Sequence, residues 1–337
     1  ALGRAGVVQH IVTRPAADRV ARLTAAGLAV TPARFGGWWD WPTRRRIART
    51  VESFRPEVVL AWMNRAASAM PDGPFAKVAR LGGYYNLKYY QRCDGLICNT
   101  RAICDHVIAH GRDPSRVIYI PNFSPVGSEL AVARASLATP PSARVLLILA
   151  RLETSKGIDL AIRALAKIPD AMLWIAGEGS LRRELETVAV QSGVAARVRF
   201  LGWRADRTAL LRAADIVLVP SRSEPFGNVV VNAWAHQKPL IAARADGPSA
   251  LIRDGADGLL VPTNDAEALA AAISQLLADP GKMAQLAAAG LSRAQSEFSE
   301  SVVVTQYIDT LNALAHNAFA DTEIRPPGDL PANGGGA

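Results

Sequence analysis

The chain has 337 residues, half of them hydrophobic, so it can bury more than one core, and it holds no run of about 18 uncharged apolar residues of the kind a membrane-spanning helix needs. A formal charge of +8 calls for an anionic partner, whether nucleic acid, anionic lipid or a phosphorylated ligand. With only 6% aromatic residues and no RNA-recognition, zinc-finger or helix-turn-helix signature, nucleic acid is set aside as a partner.

The N-terminus lacks the basic, apolar and small-residue order of a signal peptide. Ala1 to Gly6 reads as the end of a helix, followed by strands near Val7 to Val12, Val58 to Met63, Leu96 to Asn99 and Val117 to Ile120. This is a Rossmann-like unit over residues 1–124 that lacks its first strand and glycine-rich turn, as a truncated chain would. Within it, Trp38, Trp39 and Trp41 precede Arg44, Arg45, Arg46 and Arg49, a pattern suited to an anionic membrane surface or, equally, to a packed tryptophan beside a solvated helix face. Tyr84 and Tyr85 belong to an aromatic stretch that suits either a sugar or lipid-linked acceptor or plain packing. Cys93, Cys98 and Cys104 are odd in number and spaced unlike zinc ligands, so they read as reduced, buried thiols of a soluble, cytoplasmic protein.

Residues 125–143 are loosely patterned and read as a linker. From residue 144 apolar runs alternate with helix-period segments. The strand candidates are Val145 to Leu149, Met172 to Ala176, Val198 to Leu201, Ile216 to Pro220, Leu240 to Ala243 and Gly258 to Val261. Between them, Ile158, Ala161, Ile162 and Leu165 share one helix face, and Asn264 with Glu267 forms a capping box. The pattern predicts an α/β unit over 144–298 with a parallel, doubly wound sheet, whose ligands sit at the carboxyl ends of the strands. A helix over 299–316 and a disordered tail over 317–337 complete the chain.

Two loops at strand ends carry chemistry. Arg151 and Lys156-Gly157 stand between a strand and a helix N-terminus, where two cations and free amides suit a diphosphate, though two solvated surface charges fit the same sequence. Ser221 to Asn228 follows the next such strand. Gly227 admits close backbone approach, the amides of Phe226 to Asn228 open a helix, and Glu224 suits sugar hydroxyls or a simple helix cap.

These residues resemble the retaining glycosyltransferases of family 4, the group 1 glycosyl transferases with the GT-B fold, over roughly residues 90–316. Arg151 and Lys156-Gly157 are similar to the family's diphosphate-holding pair, Gly177-Glu178-Gly179 to its Gly-Glu-Gly turn, and Leu201-Gly202 to the strand end beside the base. Pro220 to Gly227 is similar to the opening of its signature of two Glu separated by seven residues. The second Glu is Asn232 here, and Ala250 stands where many relatives have Glu.

The resemblance implies two Rossmann-like domains facing across a cleft. It implies Arg151, Lys156 and Glu224 as catalytic residues, and Gly157, Gly177, Glu178, Leu201, Phe226, Gly227, Asn228, Val229 and Asn232 as donor-binding residues. It further implies a UDP- or GDP-sugar donor, a glycan or lipid-linked acceptor in bacterial envelope or lipopolysaccharide synthesis, retention of configuration, and no metal or other cofactor. Trp38, Trp39, Trp41, Arg44, Arg45, Tyr84 and Tyr85 are the candidates for acceptor or inner-membrane contact. The rival readings are a degenerate nucleotide-sugar-binding scaffold, for which Asn232 speaks, and a nucleotide-sugar epimerase.

Overall fold

In the computed structural model, residues 1–36 and 40–323 are described, and the chain divides into two units, 1–120 with 304–337, and 121–303. The expected linker over 125–143 is instead part of the second unit. Arg134 bonds the Ala213 carbonyl and the Asp215 carboxylate, and buried Thr139 accepts the Trp174 indole N–H, so side chains far along the sequence hold this segment down. The last helix also differs from expectation: it runs over Glu300–Glu323, beyond 316, and the rest of the expected disordered tail lies outside the described residues.

The strands, in chain order, are β1 His10–Thr13, β2 Ala29–Pro32, β3 Val58–Trp62, β4 Ala76–Leu81, β5 Gly95–Cys98 and β6 Val117–Tyr119 in the first unit. The second unit has β7 Arg144–Leu149, β8 Ala171–Ala176, β9 Val198–Gly202, β10 Ile216–Val219, β11 Leu240–Ala243 and β12 Leu259–Val261. The helices are α1 Ala17–Ala25, α2 Trp41–Phe54, α3 Met63–Ala69, α4 Arg101–Ala109, α5 Ile158–Leu165, α6 Arg182–Gln191 and α7 Arg207–Ala213, then α8 Asn228–Ala235, α9 Asp246–Leu251, α10 Ala266–Ala278, α11 Pro280–Glu297 and α12 Glu300–Glu323.

The first unit opens with a 3-10 turn, Leu2–Ala5, that ends on Gly6, and its strands form two parallel sheets, β1-β2 and β3-β4-β5-β6. Among the described residues β1 and β2 pair only with each other, and β3 to β6 form the second sheet. α12 packs here: Tyr307 accepts a bond from Arg80 on β4, and Leu314 lies over Gly95 at the start of β5, where a Cβ would come within 2.6 Å of it. Cys93, Cys98 and Cys104 are free and buried, and no helix among the described residues is long and apolar enough to cross a membrane.

The second unit is one six-stranded parallel sheet in the order β12-β11-β10-β7-β8-β9. Alternate side chains leave β7 on opposite faces. Leu146 and Ile148 join Ile158, Ile162 and Leu165 of α5, while Val145 and Leu147 join Val230 and Trp234 of α8. Both faces are therefore covered, and the strands read as continuous apolar runs. The helix α10 begins one residue later than its sequence signal. Asp265, not Asn264, accepts the Ala268 amide as the cap, because Asn264 has a left-handed backbone and its side-chain oxygen accepts from Arg222.

Candidate functional site at the sheet switch point

β7 continues through α5 to β8 and β9 on one side, whereas β10, β11 and β12 lie on the other, so strand order reverses between β7 and β10. Ligands of doubly wound sheets bind outside the carboxyl ends of the strands at such a reversal. A pocket of about 200 Å³ opens there, lined by Ala150, Arg151, Lys156, Pro220, Ser221, Glu224, Asn228 and Val229, among others.

The loops after β7 and β10 are tied to each other. The amides of Arg222 and Ser223 both donate to the Ser155 carbonyl, at 2.8 and 3.2 Å. The Arg222 guanidinium binds both carboxylate oxygens of Asp159 at 2.7 and 2.8 Å and also donates to the Thr154 carbonyl. Burial raises the Asp159 pKa, but the Arg222 hydrogen bonds and charge outweigh it and hold that carboxyl below its ordinary 3.8. Gly157 completes the join with a backbone φ of 59°, and a Cβ there would lie 2.1 Å from the Pro220 carbonyl oxygen. Only glycine lets the two strand ends come this close. Arg222 and Asp159 were not singled out from sequence. Their signal is a loop arginine and a first-turn aspartate whose pairing depends on β7 and β10 being neighbours.

In the pocket, Lys156 Nζ sits 2.6 Å from the Glu224 carboxylate, and both side chains are largely buried. Glu224 is therefore a partner of Lys156 and not a helix cap; the cap residue of α8 is Gly227, with no side-chain cap bond. Arg151 is 73% exposed at the rim and pairs with Glu153. The Asn228 side-chain oxygen accepts from Asn122 at 2.7 Å, and one turn on, Asn232 accepts from Ser124 at 2.5 Å. The site thus holds two cations, one carboxylate, hydroxyl and amide groups, and the free amides that open α8.

Of the expected donor residues, Arg151, Lys156, Glu224, Asn228 and Val229 line this pocket, and Gly157 and Gly227 shape its two loops. Phe226 has its side chain in the core, 3% exposed, leaving only its backbone for a ligand. Gly177, Glu178, Leu201 and Asn232 do not line it. Gly177 donates to the Gly202 carbonyl and its α-carbon packs against the Ala150 carbonyl, so it joins β8 to the neighbouring strand ends.

In the first unit, Trp38 and Trp39 lie outside the described residues, while Trp41 is 70% exposed. Arg44 and Arg45 face different cavities, and Tyr84 and Tyr85 line neither. Tyr84 meets the His106 ring edge-on, and Tyr85 stacks on Tyr90 in the core. The four do not form one site.

Residues 131–293 match the model of the glycosyl transferases group 1 family. The lipopolysaccharide core biosynthesis glycosyltransferase LpsE of Rhizobium meliloti (strain 1021) is 37% identical over 260 residues, spanning 76% of this chain and 76% of that protein. The chain belongs to the glycosyl transferases group 1 family. The lipopolysaccharide core biosynthesis glycosyltransferase LpsD of the same strain is 36% identical over 268 residues, 78% of this chain and 77% of that protein. The structure of Anabaena Alr3699/HepE in complex with UDP superposes with a TM-score of 0.77 at 23% identity, covering 87% of this chain and 89% of that one. The fold is GT-B, with the switch-point pocket in the half of the chain that the family match covers.

Proposed function

We propose that this glycosyltransferase takes a sugar from a UDP- or GDP-sugar and transfers it, with retention of configuration and without a metal, to a core lipopolysaccharide acceptor. The observation that carries the donor reading is the pairing of Lys156 with Glu224 inside the pocket at the strand reversal. An incoming diphosphate replaces Glu224 as the partner of Lys156, and Arg151 swings from the rim to share its charge. The two cations then stabilise the charge that grows on the leaving diphosphate as the glycosidic bond breaks, the task a metal ion performs elsewhere. The released Glu224 carboxylate accepts hydrogen bonds from the sugar hydroxyls, and the amides opening α8 hold phosphate oxygen.

The acceptor reading rests on the two Rhizobium relatives, whose names assign them to lipopolysaccharide core synthesis. Exposed Trp41 beside Arg44 and Arg45 supports contact of the first unit with the inner face of an anionic membrane, where a lipid-linked acceptor resides.

Thermal melting with UDP-, GDP-, ADP- and dTDP-sugars tests the donor site, because a ligand that binds only the folded state raises Tm. One nucleotide should give a clear shift that Arg151→Ala diminishes and Lys156→Ala abolishes. A folded protein that no sugar nucleotide stabilises would overturn the reading.

A further inference from the structure

A second cavity, in the first unit, has a chemistry the donor site does not explain. One face of α2 supplies Pro42, Arg45, Arg46, Arg49, Thr50 and Ser53, a stripe at helical spacing, and His10 of β1 with Thr31 of β2 forms the opposite wall of a space of about 420 Å³. Thr43 and Ile47 on the other side of α2 are buried, so the helix is fixed with its arginine stripe turned to this cavity. No carboxylate lines it; Glu52 is the one acid of α2 and is not among the lining residues. Arg46 is anchored by a 2.6 Å bond to the Pro32 carbonyl, and His10 by a 2.8 Å bond to Thr31. Among the described residues none of the three arginines has an ion-pair partner.

Arg45 and Arg49 stand four residues apart and Arg46 and Arg49 three apart, spacings at which like charges repel and oppose the helix. Three guanidinium forks around one space, with no internal counter-charge, match a tetrahedral dianion better than a planar carboxylate, which two forks would saturate. We propose that this cavity is a phosphate-binding site, separate from the donor pocket and independent of the donor reading, that takes a phosphate group carried either by the acceptor glycan or by a lipid headgroup.

Calorimetric titration of the full chain with inorganic phosphate, in parallel with acetate at equal ionic strength, tests this. Phosphate should bind Lys156→Gln, whose donor pocket has lost its buried cation, and bind Lys156→Gln/R45Q/R49Q about tenfold or more weakly; acetate should not bind. Both substituted arginines are exposed, and the single variant R49Q serves should the double variant misfold. Sedimentation with phosphatidylcholine vesicles containing phosphatidylglycerol then separates the sources. Co-sedimentation lost in R45Q/R49Q assigns the phosphate to a lipid headgroup, and phosphate binding without co-sedimentation assigns it to a soluble phosphorylated glycan. Phosphate binding to Lys156→Gln that survives the added R45Q/R49Q, that acetate reproduces, or that is absent overturns the proposal.

Discussion

Lys156 and Glu224 neutralise each other in a pocket where both are more than four-fifths buried, so each is the other's main counter-charge until a ligand arrives. Replacing either by Ala leaves the survivor as an unpaired charge and should cost about 1 to 2 kcal/mol of stability. Replacing both should cost less than the sum of the two, measured as a double-mutant cycle from urea midpoints. Transfer should behave oppositely, falling by orders of magnitude in each single variant with no recovery in the double, because Lys156 and Glu224 serve different parts of the donor. Additive stability losses, or near-normal turnover in any of the three, would remove this pair from the mechanism. Gly157 is constrained in another way. A Cβ would strike the Pro220 carbonyl while holding a left-handed backbone, so Gly157→Ala should lose about 2 kcal/mol or more and lower donor affinity as the two strand ends part. A midpoint unchanged by that substitution would mean the loops yield easily and do not need their close contact.

At the scale of elements, the loops after β7 and β10 are held by the Arg222 to Asp159 fork, and its pH dependence has a definite sign. Asp159 has its folded pKa depressed, so the stability it contributes is fully present above its ordinary 3.8 and is lost as pH falls through the lower folded value. The urea midpoint of the wild type should therefore exceed that of Asp159→Asn by a constant margin near neutrality, a margin that narrows below 3.8. A margin that stays level through that acid range would show that Asp159 does not titrate with folding. The same fork marks where sequence reading stops. The six strands of the second unit were legible because both faces of their sheet are buried, which leaves unbroken apolar runs such as Val145 to Leu149. β2 and β4 were not legible. β4 carries Lys77 and Arg80 in a strand paired on both sides; Lys77 pairs with Asp72 before the strand, and the Arg80 guanidinium donates to the Tyr307 hydroxyl on a helix more than 200 residues away. Alternation and charge argue against a buried strand until those partners are known. Lys156 and Glu224 were readable one by one as strand-end residues, whereas their ion pair follows only from the adjacency of β7 and β10. The Asn122 and Ser124 contacts to α8 likewise cross more than 100 residues.

For the molecule as a whole, the hydrophobic clusters are partitioned by unit. The buried cluster around Leu81, Leu96 and Ile103 draws only on the first unit, and the two clusters on either face of the β7 sheet draw only on the second. The second unit also has the more continuous architecture, one six-stranded sheet against separate sheets of two and four strands. Stability in such a chain belongs to each core separately, and a ligand raises the melting temperature of the core that binds it. Scanning calorimetry should resolve two transitions, the lower from the first unit. A nucleotide bound at the β7 and β10 loops should move only the upper one, and inorganic phosphate at the α2 cavity should move the lower one in the Lys156→Gln background. A single cooperative transition that both ligands shift equally would mean the two cores unfold together, and the two sites would then be linked through the stability of the entire chain.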